Sequence, residues 1–247
     1  MKDATGPSRP DPVSHLTGRL RRTPHPAGIS LPGQAGKFAT DGTVQAWPGN
    51  TFICHVRPDG TAHKAIRGLQ EEMKMSRFAR FFTFLPPSSF HMTVFQGISP
   101  IPATAALQPE GPRHGEPLHE LSAELLARVE DIAFDPSPAA RMVDLFCGYS
   151  LTVTGAGPEG EAPLRRMRET LRNATGIAPP DFDDYVFHIT LAYLLEWLTE
   201  ETAEELVAFS AALTDGYAEA LSAIPLGPVE FCTFETMHHF EPVKRLV

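Results

Sequence analysis

Two short segments of this chain share a pattern that fixes which side of a strand carries their polar groups. Residues 90–94 read FHMTV and residues 187–191 read FHITL, one segment in each half of the 247-residue chain. Side chains alternate between the two faces of a β-strand. The histidine and threonine of each segment therefore lie on one face, and its apolar residues lie on the other.

The polar face of these segments must meet water or a ligand, because burying an imidazole or a hydroxyl without a partner costs free energy. One such strand would be an ordinary wetted sheet face, whereas two matching copies suggest a repeat. If a two-fold axis relates the two halves of the chain, both motifs meet at one cleft. The polar residues there would be His91, Thr93, His188 and Thr190. An accidental repeat is the alternative, and it predicts that the two histidines lie far apart.

Two imidazoles and two hydroxyls around one space are suited to cleaving a phosphodiester. Imidazole titrates near neutral pH, so one histidine can act as the base while the other acts as the acid. Threonine hydroxyls can donate to the non-bridging phosphate oxygens and orient the group. No carboxylate cluster and no closely spaced Cys or His pairs indicate a metal site. We therefore expect these four residues to be catalytic, with no cofactor and no metal.

The paired motifs, their spacing and the chain length resemble those of the two-histidine (2H) phosphoesterase superfamily, and in particular an uncharacterised bacterial branch of it. That superfamily includes RNA 2′-5′ ligase-like proteins and cyclic nucleotide phosphodiesterases. The resemblance implies an α+β, bilobal, pseudo-two-fold fold, with antiparallel sheets facing a central cleft and helices on the outside. It also implies metal-independent hydrolysis of a 2′,3′-cyclic or related cyclic phosphate, with the same four residues as the catalytic set.

The second motif departs from the family pattern, in which a basic residue often follows nearby. Residues 192–195 read AYLL and contain none. Positive charge for the phosphate must then come from elsewhere, and the candidates are Arg77, Arg80 and Lys37.

Two other functions fit the same residues. A non-catalytic module could bind a nucleotide or an RNA end in the same pocket without turnover, and a ligase-like activity on 2′-5′ linkages would run the chemistry in reverse. The net charge of −9 argues against a groove for long nucleic acid, because phosphate contacts supply most of the affinity there. We expect a small nucleotide or short oligonucleotide as substrate, and a monomeric protein.

The chain divides into an N-terminal arm and one domain. Residues 1–36 are rich in proline, glycine and serine, which predicts a flexible or extended arm, and residues 37–247 are expected to form a single bilobal domain. No apolar stretch approaches the roughly 18 residues of a membrane span. The first residues lack the apolar block of a secretory signal, so we expect a cytoplasmic protein with no membrane partner.

Periodicity predicts an alternation of strands and helices. The predicted strands cover 50–57, 78–85, 90–98, 141–147, 149–154, 185–194 and 228–236, and the predicted helices cover 61–76, 118–132, 161–174 and 199–222. Short loops between strands favour antiparallel or mixed sheets with helices on one face. Thr199 is a candidate N-cap and Gly176 a candidate C-cap.

Other histidines have simpler interpretations. His238 and His239 are adjacent, so a strand would point them to opposite faces and they could not easily share one metal ion. His55 and His63 flank a turn, and we expect both to be solvated.

The remaining aromatic and sulfur side chains are expected in the core. Tyr185 and Tyr193 each lie an odd number of residues from His188, which predicts the core side of the strand. The phenylalanines of strand 78–85 are expected to pack in the core, although they could stack a base. The cysteines are expected to be buried thiols: Cys54, Cys147 and Cys232.

Overall fold

Eight strands form one antiparallel sheet, and the helices pack against it. The computed structural model describes residues 9–100, 106–107, 116–134 and 137–247, so residues 1–8 of the predicted arm lie outside the described part. The strands are β1 (Ile29–Ser30), β2 (Phe38–Ala39), β3 (Gly49–His55), β4 (Phe82–Phe84), β5 (His91–Gln96), β6 (Ala106–Leu107), β7 (Ala139–Phe146), β8 (Ser150–Gly155), β9 (Ile177–Ala178), β10 (His188–Thr190), β11 (Ala192–Leu194), β12 (Ile224–Pro225), β13 (Glu230–Thr236) and β14 (His239–Arg245). The helices are α1 (Pro12–Leu16), α2 (Thr61–Met75), α3 (Leu118–Arg128), α4 (Ala162–Thr175) and α5 (Glu200–Tyr217).

The large sheet has the strand order β12-β7-β8-β10-β5-β3-β13-β14. Every neighbouring pair in it is antiparallel, and the sheet curls into a half-barrel. This confirms the α+β class. The order divides into two four-stranded halves, each carrying one His-x-Thr motif on its innermost strand. The two halves join through β5 and β10, so both His-x-Thr motifs lie on the same side of the curled sheet.

The apolar side chains of the two motif strands form the centre of the core. Met92, Val94 and Ile189 are fully buried, in one cluster with residues of α2, α4 and α5 such as Leu69 and Leu171. Burying each such side chain contributes about 1.5–3 kcal/mol. The predicted alternation is therefore confirmed, and the helices cover the face opposite the motif histidines.

Helix ends follow the predicted local chemistry. The backbone N–H of Thr202 donates to the Thr199 hydroxyl at 3.3 Å, which makes Thr199 the N-cap of α5. Gly176 ends α4 with φ of 70°, a left-handed conformation that glycine adopts without steric penalty.

The predicted strand 185–194 is two strands in different sheets. β10 pairs with β8 and β5, whereas β11 pairs with β4 in a separate two-stranded ribbon. Between them the Leu191 N–H donates to the carbonyl of Tyr149, and the Leu191 carbonyl accepts from Leu85. The backbone thus changes partners at this residue, which interrupts the regular alternation of side chains.

Residues 9–47 and the last strand complete the fold. Residues 9–36 contain α1 and β1, and β1 pairs with β2 in parallel. Phe38 and Trp47 pack in a second apolar cluster with Phe234 and Phe240 from β13 and β14. β14 is an edge strand that the sequence analysis did not predict. None of the described helices has the length and apolarity needed to cross a membrane.

Candidate active site

The register between β5 and β10 brings the two His-x-Thr motifs together. Met92 lies opposite Ile189 in an antiparallel pair. One step along each strand, His188 is therefore beside Thr93, and His91 is beside Thr190. All four predicted residues lie on one side of the sheet, called the site face below, and the two histidines sit diagonally across the strand pair.

Both histidines are held by the same hydrogen bond. Nδ1 of His91 lies 2.7 Å from the carbonyl oxygen of Ser89, and Nδ1 of His188 lies 2.8 Å from that of Val186. A carbonyl oxygen only accepts, so Nδ1 carries the proton in each ring. Nε2 of both neutral rings then presents a lone pair, and the pseudo-two-fold repeat extends to the tautomer.

The site face disfavours charged imidazole. Burial lowers the pKa of His91 from its ordinary value of 6.5 to about 3, and that of His188 to about 4. The positive charge of Arg9 lowers the pKa of His188 further, and the neighbouring imidazoles do the same for His91. Both histidines are therefore neutral at neutral pH.

A third imidazole lies beside His91. His55 on β3 is the direct cross-strand partner of His91, and their ring centres are 6.3 Å apart. Nδ1 of His55 donates to Oε2 of Glu230 at 2.7 Å, and Nε of Arg245 donates to Oε1 of the same carboxylate at 3.0 Å. The expectation that His55 is solvated was wrong, because strand register, which short-range sequence does not encode, places it on the site face.

His63 also differs from expectation. It is buried on α2, and its Nε2 donates to the carbonyl of Pro87 at 3.0 Å. The first turn of the helix directs the ring inward. The expectation that His238 and His239 are neighbours on one strand was wrong, because His238 lies in the turn between β13 and β14 and packs against Phe38. His239 begins β14, is exposed and bonds Glu241.

One group of side chains in the described residues has the composition of a metal site. Ligand atoms of His55, Glu230 and Cys232 all lie within 4.8 Å of one another. Both oxygens of Glu230 are already engaged by His55 and Arg245, and burial raises the pKa of the Cys232 thiol. These groups therefore form a hydrogen-bonded pair packed against a neutral thiol. All three cysteines are buried and free, as predicted.

Of the three proposed cations, only Lys37 lies near the histidines. Its charge lowers the pKa of both His91 and His188, and its Nζ donates to the Tyr193 hydroxyl at 3.2 Å. Arg77 instead pairs with Glu205 on α5. Arg80 is exposed and stacks on Phe81.

Arg9 is a cation that the sequence analysis missed. Its Nε donates to the Thr152 hydroxyl at 3.2 Å, and its Nη2 donates to the Ser150 hydroxyl at 3.1 Å. Thr152 is the cross-strand partner of His188, and Ser150 that of Thr190. Arg9 therefore lies directly beside the second motif, although it is remote from it in sequence and sits in a proline-rich segment without periodicity.

An aromatic ring lies beside each of the two histidines. The Phe240 ring lies 4.2 Å from that of His91, and the Tyr185 ring lies 5.9 Å from that of His188. Tyr185 is buried as predicted, and its hydroxyl donates to the carbonyl of Thr93 at 3.4 Å. Tyr193 is only half-buried, because the break at Leu191 cancels the parity on which its prediction rested.

The phenylalanines of the predicted strand 78–85 pack inside. Phe78, Phe81 and Phe82 are buried, and Phe84 packs against the same core. Core packing is therefore confirmed for these rings.

Comparison with known proteins found a matching family model and a solved structure with the same fold. The family model 2H-phosphodiest, described as a domain of unknown function (DUF1868), matches residues 37–145, which include the first motif. No curated protein sequence matches the chain. The solved structure of a conserved protein of unknown function from Agrobacterium tumefaciens strain C58 shares the fold, with a TM-score of 0.85 and 24% sequence identity over 97% of this chain and 100% of that one.

The second His-x-Thr motif lies outside the matched segment, and the structure places it beside the first. The matched segment contributes His91 and Thr93, and the remainder of the chain contributes the equivalent pair on the adjoining strand. A phosphodiesterase-type activity is the one that the family supports. The match over residues 37–145, together with the paired motifs, supports the two-histidine (2H) phosphoesterase superfamily.

Proposed function

We propose that this protein hydrolyses a 2′,3′-cyclic or related cyclic phosphate on a nucleotide or a short RNA end. The observation that carries the proposal is the matched pair of Nδ1–carbonyl bonds at His91 and His188. Each bond leaves an unprotonated Nε2 on the site face, one on either side of the strand pair. Two such nitrogens across one phosphate can move both protons that hydrolysis requires.

The proposed hydrolysis uses the Nε2 atoms of the two histidines. One histidine takes a proton from water at Nε2 as the water oxygen forms a bond to phosphorus. The bond from phosphorus to one ribose oxygen breaks, and the other histidine donates its proton to that oxygen. The products are a ribose hydroxyl and a phosphate monoester. No step requires a metal ion or a cofactor. The near-identity of the two motifs leaves both assignments of acid and base open.

The threonines would orient the phosphate. Neither the Thr93 nor the Thr190 hydroxyl makes a hydrogen bond within the described residues, so both are available to donate to non-bridging oxygens. The diagonal arrangement gives each histidine the other motif's threonine as its neighbour. A phosphate held by both hydroxyls would therefore lie between the two Nε2 atoms.

The negative charge of the bound substrate is needed to protonate the histidine that acts as the acid. The acid must carry a proton, whereas burial lowers the pKa of His91 to about 3 and that of His188 to about 4. A phosphate anion beside an imidazole favours its charged form and raises its pKa. The bound substrate would thus produce the protonated histidine that the reaction consumes.

The proposed substrate is small. A net charge of −9 opposes binding of long nucleic acid. We propose a monomeric cytoplasmic protein that acts on a nucleotide or on the terminus of a short oligonucleotide.

The test is turnover of a panel of 2′,3′-cyclic nucleotides, with and without chelator. It compares the wild type with His91→Ala, His188→Ala and the control His239→Ala, which removes an exposed imidazole. Chelator-resistant hydrolysis that is lost only in the first two variants supports the proposal, and the product identifies the bond that breaks. Turnover that survives in either variant would overturn the two-histidine mechanism.

The second candidate is a non-catalytic module that binds a nucleotide or RNA end. The low pKa values of both imidazoles favour it, because an imidazole without a proton cannot act as the acid. Such a module would bind the cyclic nucleotides without converting them. A ligase-like reaction is distinguished in the same assay by adding an RNA with a free 5′-hydroxyl and looking for a 2′-5′ linked product.

A further inference from the structure

The segment that contains Arg9 is firmly attached to the domain. Asp11 caps α1 by accepting from the Ser14 N–H at 2.7 Å. The Leu16 side chain is fully buried in the main core. His15 Nε2 and the Tyr149 hydroxyl are joined by a hydrogen bond of 2.7 Å. Arg9 therefore precedes a fixed helix by only a few residues, and its position is determined by the fold.

Further contacts hold the following residues. Arg19 makes a bidentate pair with Glu200 of α5, at 3.1 and 2.6 Å. The indole N–H of Trp197 donates to the carbonyl of Thr23 at 2.9 Å. The attachment thus continues beyond the C-terminal end of α1.

Among the residues that the structure describes, the Arg9 guanidinium has neutral hydrogen-bond partners. Its hydrogen-bonding partners are the neutral hydroxyls of Ser150 and Thr152, and its face lies 4.8 Å from the Phe146 ring centre. Among the described residues, no carboxylate forms an ion pair with Arg9. The nearby Asp144, the cross-strand partner of Thr152, raises the pKa of Arg9 without an ion-pair contact. Burial lowers the pKa of Arg9 accordingly. A half-buried cation in such surroundings is stabilised by a bound anion.

We propose that Arg9, delivered by the N-terminal segment, is the phosphate-binding cation of this site. It replaces the basic residue that is absent after the second motif, and the proposal rests on the proposed function. Ser150 and Thr152 each use one of its five N–H donors, which leaves donors for two non-bridging oxygens. Because these hydroxyls neighbour Thr190 and His188, they set the guanidinium beside the reacting phosphate.

Lys37 would supply a second charge from the same part of the chain. The charge of Lys37 lowers the pKa of both His91 and His188, whereas the charge of Arg9 lowers the pKa of His188. The two cations come from positions that sequence proximity to the motifs would not select. Removing the Arg9 side chain would therefore weaken anion binding while leaving Lys37 and the four motif residues in place.

The first experiment measures anion binding without turnover. Inorganic phosphate is titrated into the full chain, and the imidazole NMR signals of His91 and His188 are followed for wild type, Arg9→Ala, Arg9→Lys and Arg22→Ala. Arg22 is an exposed arginine of the same segment and serves as the matched control. We expect Arg9→Ala to weaken phosphate binding roughly 10- to 100-fold, Arg9→Lys to weaken it less, and Arg22→Ala to leave it unchanged.

Equal phosphate affinity in wild type and Arg9→Ala would overturn the assignment, as would no binding by wild type. Thermal unfolding of the same variants separates lost binding from a detached segment. If Arg9→Ala lowers Tm, the phosphate affinities of Arg9→Lys and wild type are compared instead. Lysine keeps the charge and the aliphatic stem but lacks the paired N–H donors of the guanidinium, so weaker binding by Arg9→Lys would support direct phosphate contact.

The second experiment uses any cyclic nucleotide that the wild type hydrolyses. We expect Arg9→Ala to lower kcat/KM and guanidinium ion in solution to restore part of it, which a purely structural role would not allow. Rescue that fails while Arg9→Ala remains folded would count against direct phosphate binding. The two proposals fail separately, since phosphate binding that depends on Arg9 without any turnover would reject only the phosphodiesterase.

Discussion

Met92 and Ile189 face each other across β5 and β10, and this pair sets the geometry of the whole site. Both side chains point into the core, so the residues on either side of them point to the site face. The antiparallel direction then places each histidine next to the threonine of the other motif. A shift of one residue in this register would turn one motif into the core.

The two histidines should act as a unit. We expect His91→Ala and His188→Ala each to lower kcat/KM by about 10²- to 10⁴-fold, the usual contribution of one proton transfer. The double variant should be much less impaired than the product of the two losses, because the second histidine has little to do once the first is gone. Steady-state kinetics on a substrate from the panel measures all three.

The control for that comparison is His239→Ala, whose kinetics should match those of the wild type. Fully multiplicative losses in the double variant would show that the two imidazoles act in independent steps.

The two threonines should contribute to catalysis and little to stability. Thr93→Val and Thr190→Val keep the side-chain shape and remove hydroxyls that have no partner among the described residues. Loss of a hydrogen bond to a charged phosphate costs about 1.5–3 kcal/mol, so we expect kcat/KM to fall roughly 10- to 150-fold. Kinetics and urea unfolding of the same samples test both halves of the prediction.

Thr233→Val on β13 is the matched control, because it makes the same change on the opposite face of the sheet. A loss of stability in the Thr93 or Thr190 variants, with activity retained, would assign those hydroxyls a structural role instead.

Stability should fall as the pH is lowered from about 6.5 to about 4. In that range the unfolded chain binds protons at positions 91 and 188, and the folded protein does not, because burial lowers both pKa values. Each histidine should therefore add a slope of up to about 1.4 kcal/mol per pH unit to the free energy of unfolding. Urea unfolding at several pH values measures it.

His188→Gln should reduce that slope, and His239→Gln should leave it unchanged. An unaltered slope in His188→Gln would mean that this imidazole is protonated as readily in the folded protein as in the unfolded chain.

The core beneath the site should be sensitive to truncation. Ile189 is fully buried at the centre of the sheet, so we expect Ile189→Ala to lower the free energy of unfolding by about 2–5 kcal/mol. Val243→Ala makes a smaller truncation at a side chain that is 47% exposed on the edge strand β14, and it should change stability by less than about 0.5 kcal/mol. Similar values for both would contradict the central position of β10.

Local patterns in the sequence were sufficient for much of the fold. The alternation around His91 and His188 predicted which side chains enter the core, and the caps at Thr199 and Gly176 were identified from the residue types that favour those positions. These features depend on a few neighbouring residues. That dependence is why a single sequence reveals them.

Features that depend on distant pairing were missed. His55 reaches the site through the register of β3 with β5, and Arg9 reaches it through contacts of α1 with the domain. The break at Leu191 reflects a change of partner strand, which misplaced Tyr193. β14 was overlooked because Pro242 and several charged side chains resemble a loop, although an edge strand tolerates both.

The junction of β5 and β10 is also the narrowest part of the sheet. A single pair of directly opposed residues joins the two halves, whereas β7 and β8 share six such pairs. One motif histidine lies on each side of this junction. A change in the pairing of β5 with β10 would therefore change the distance between the imidazoles. Amide hydrogen exchange at positions 92 and 189 would report on the integrity of the reacting geometry.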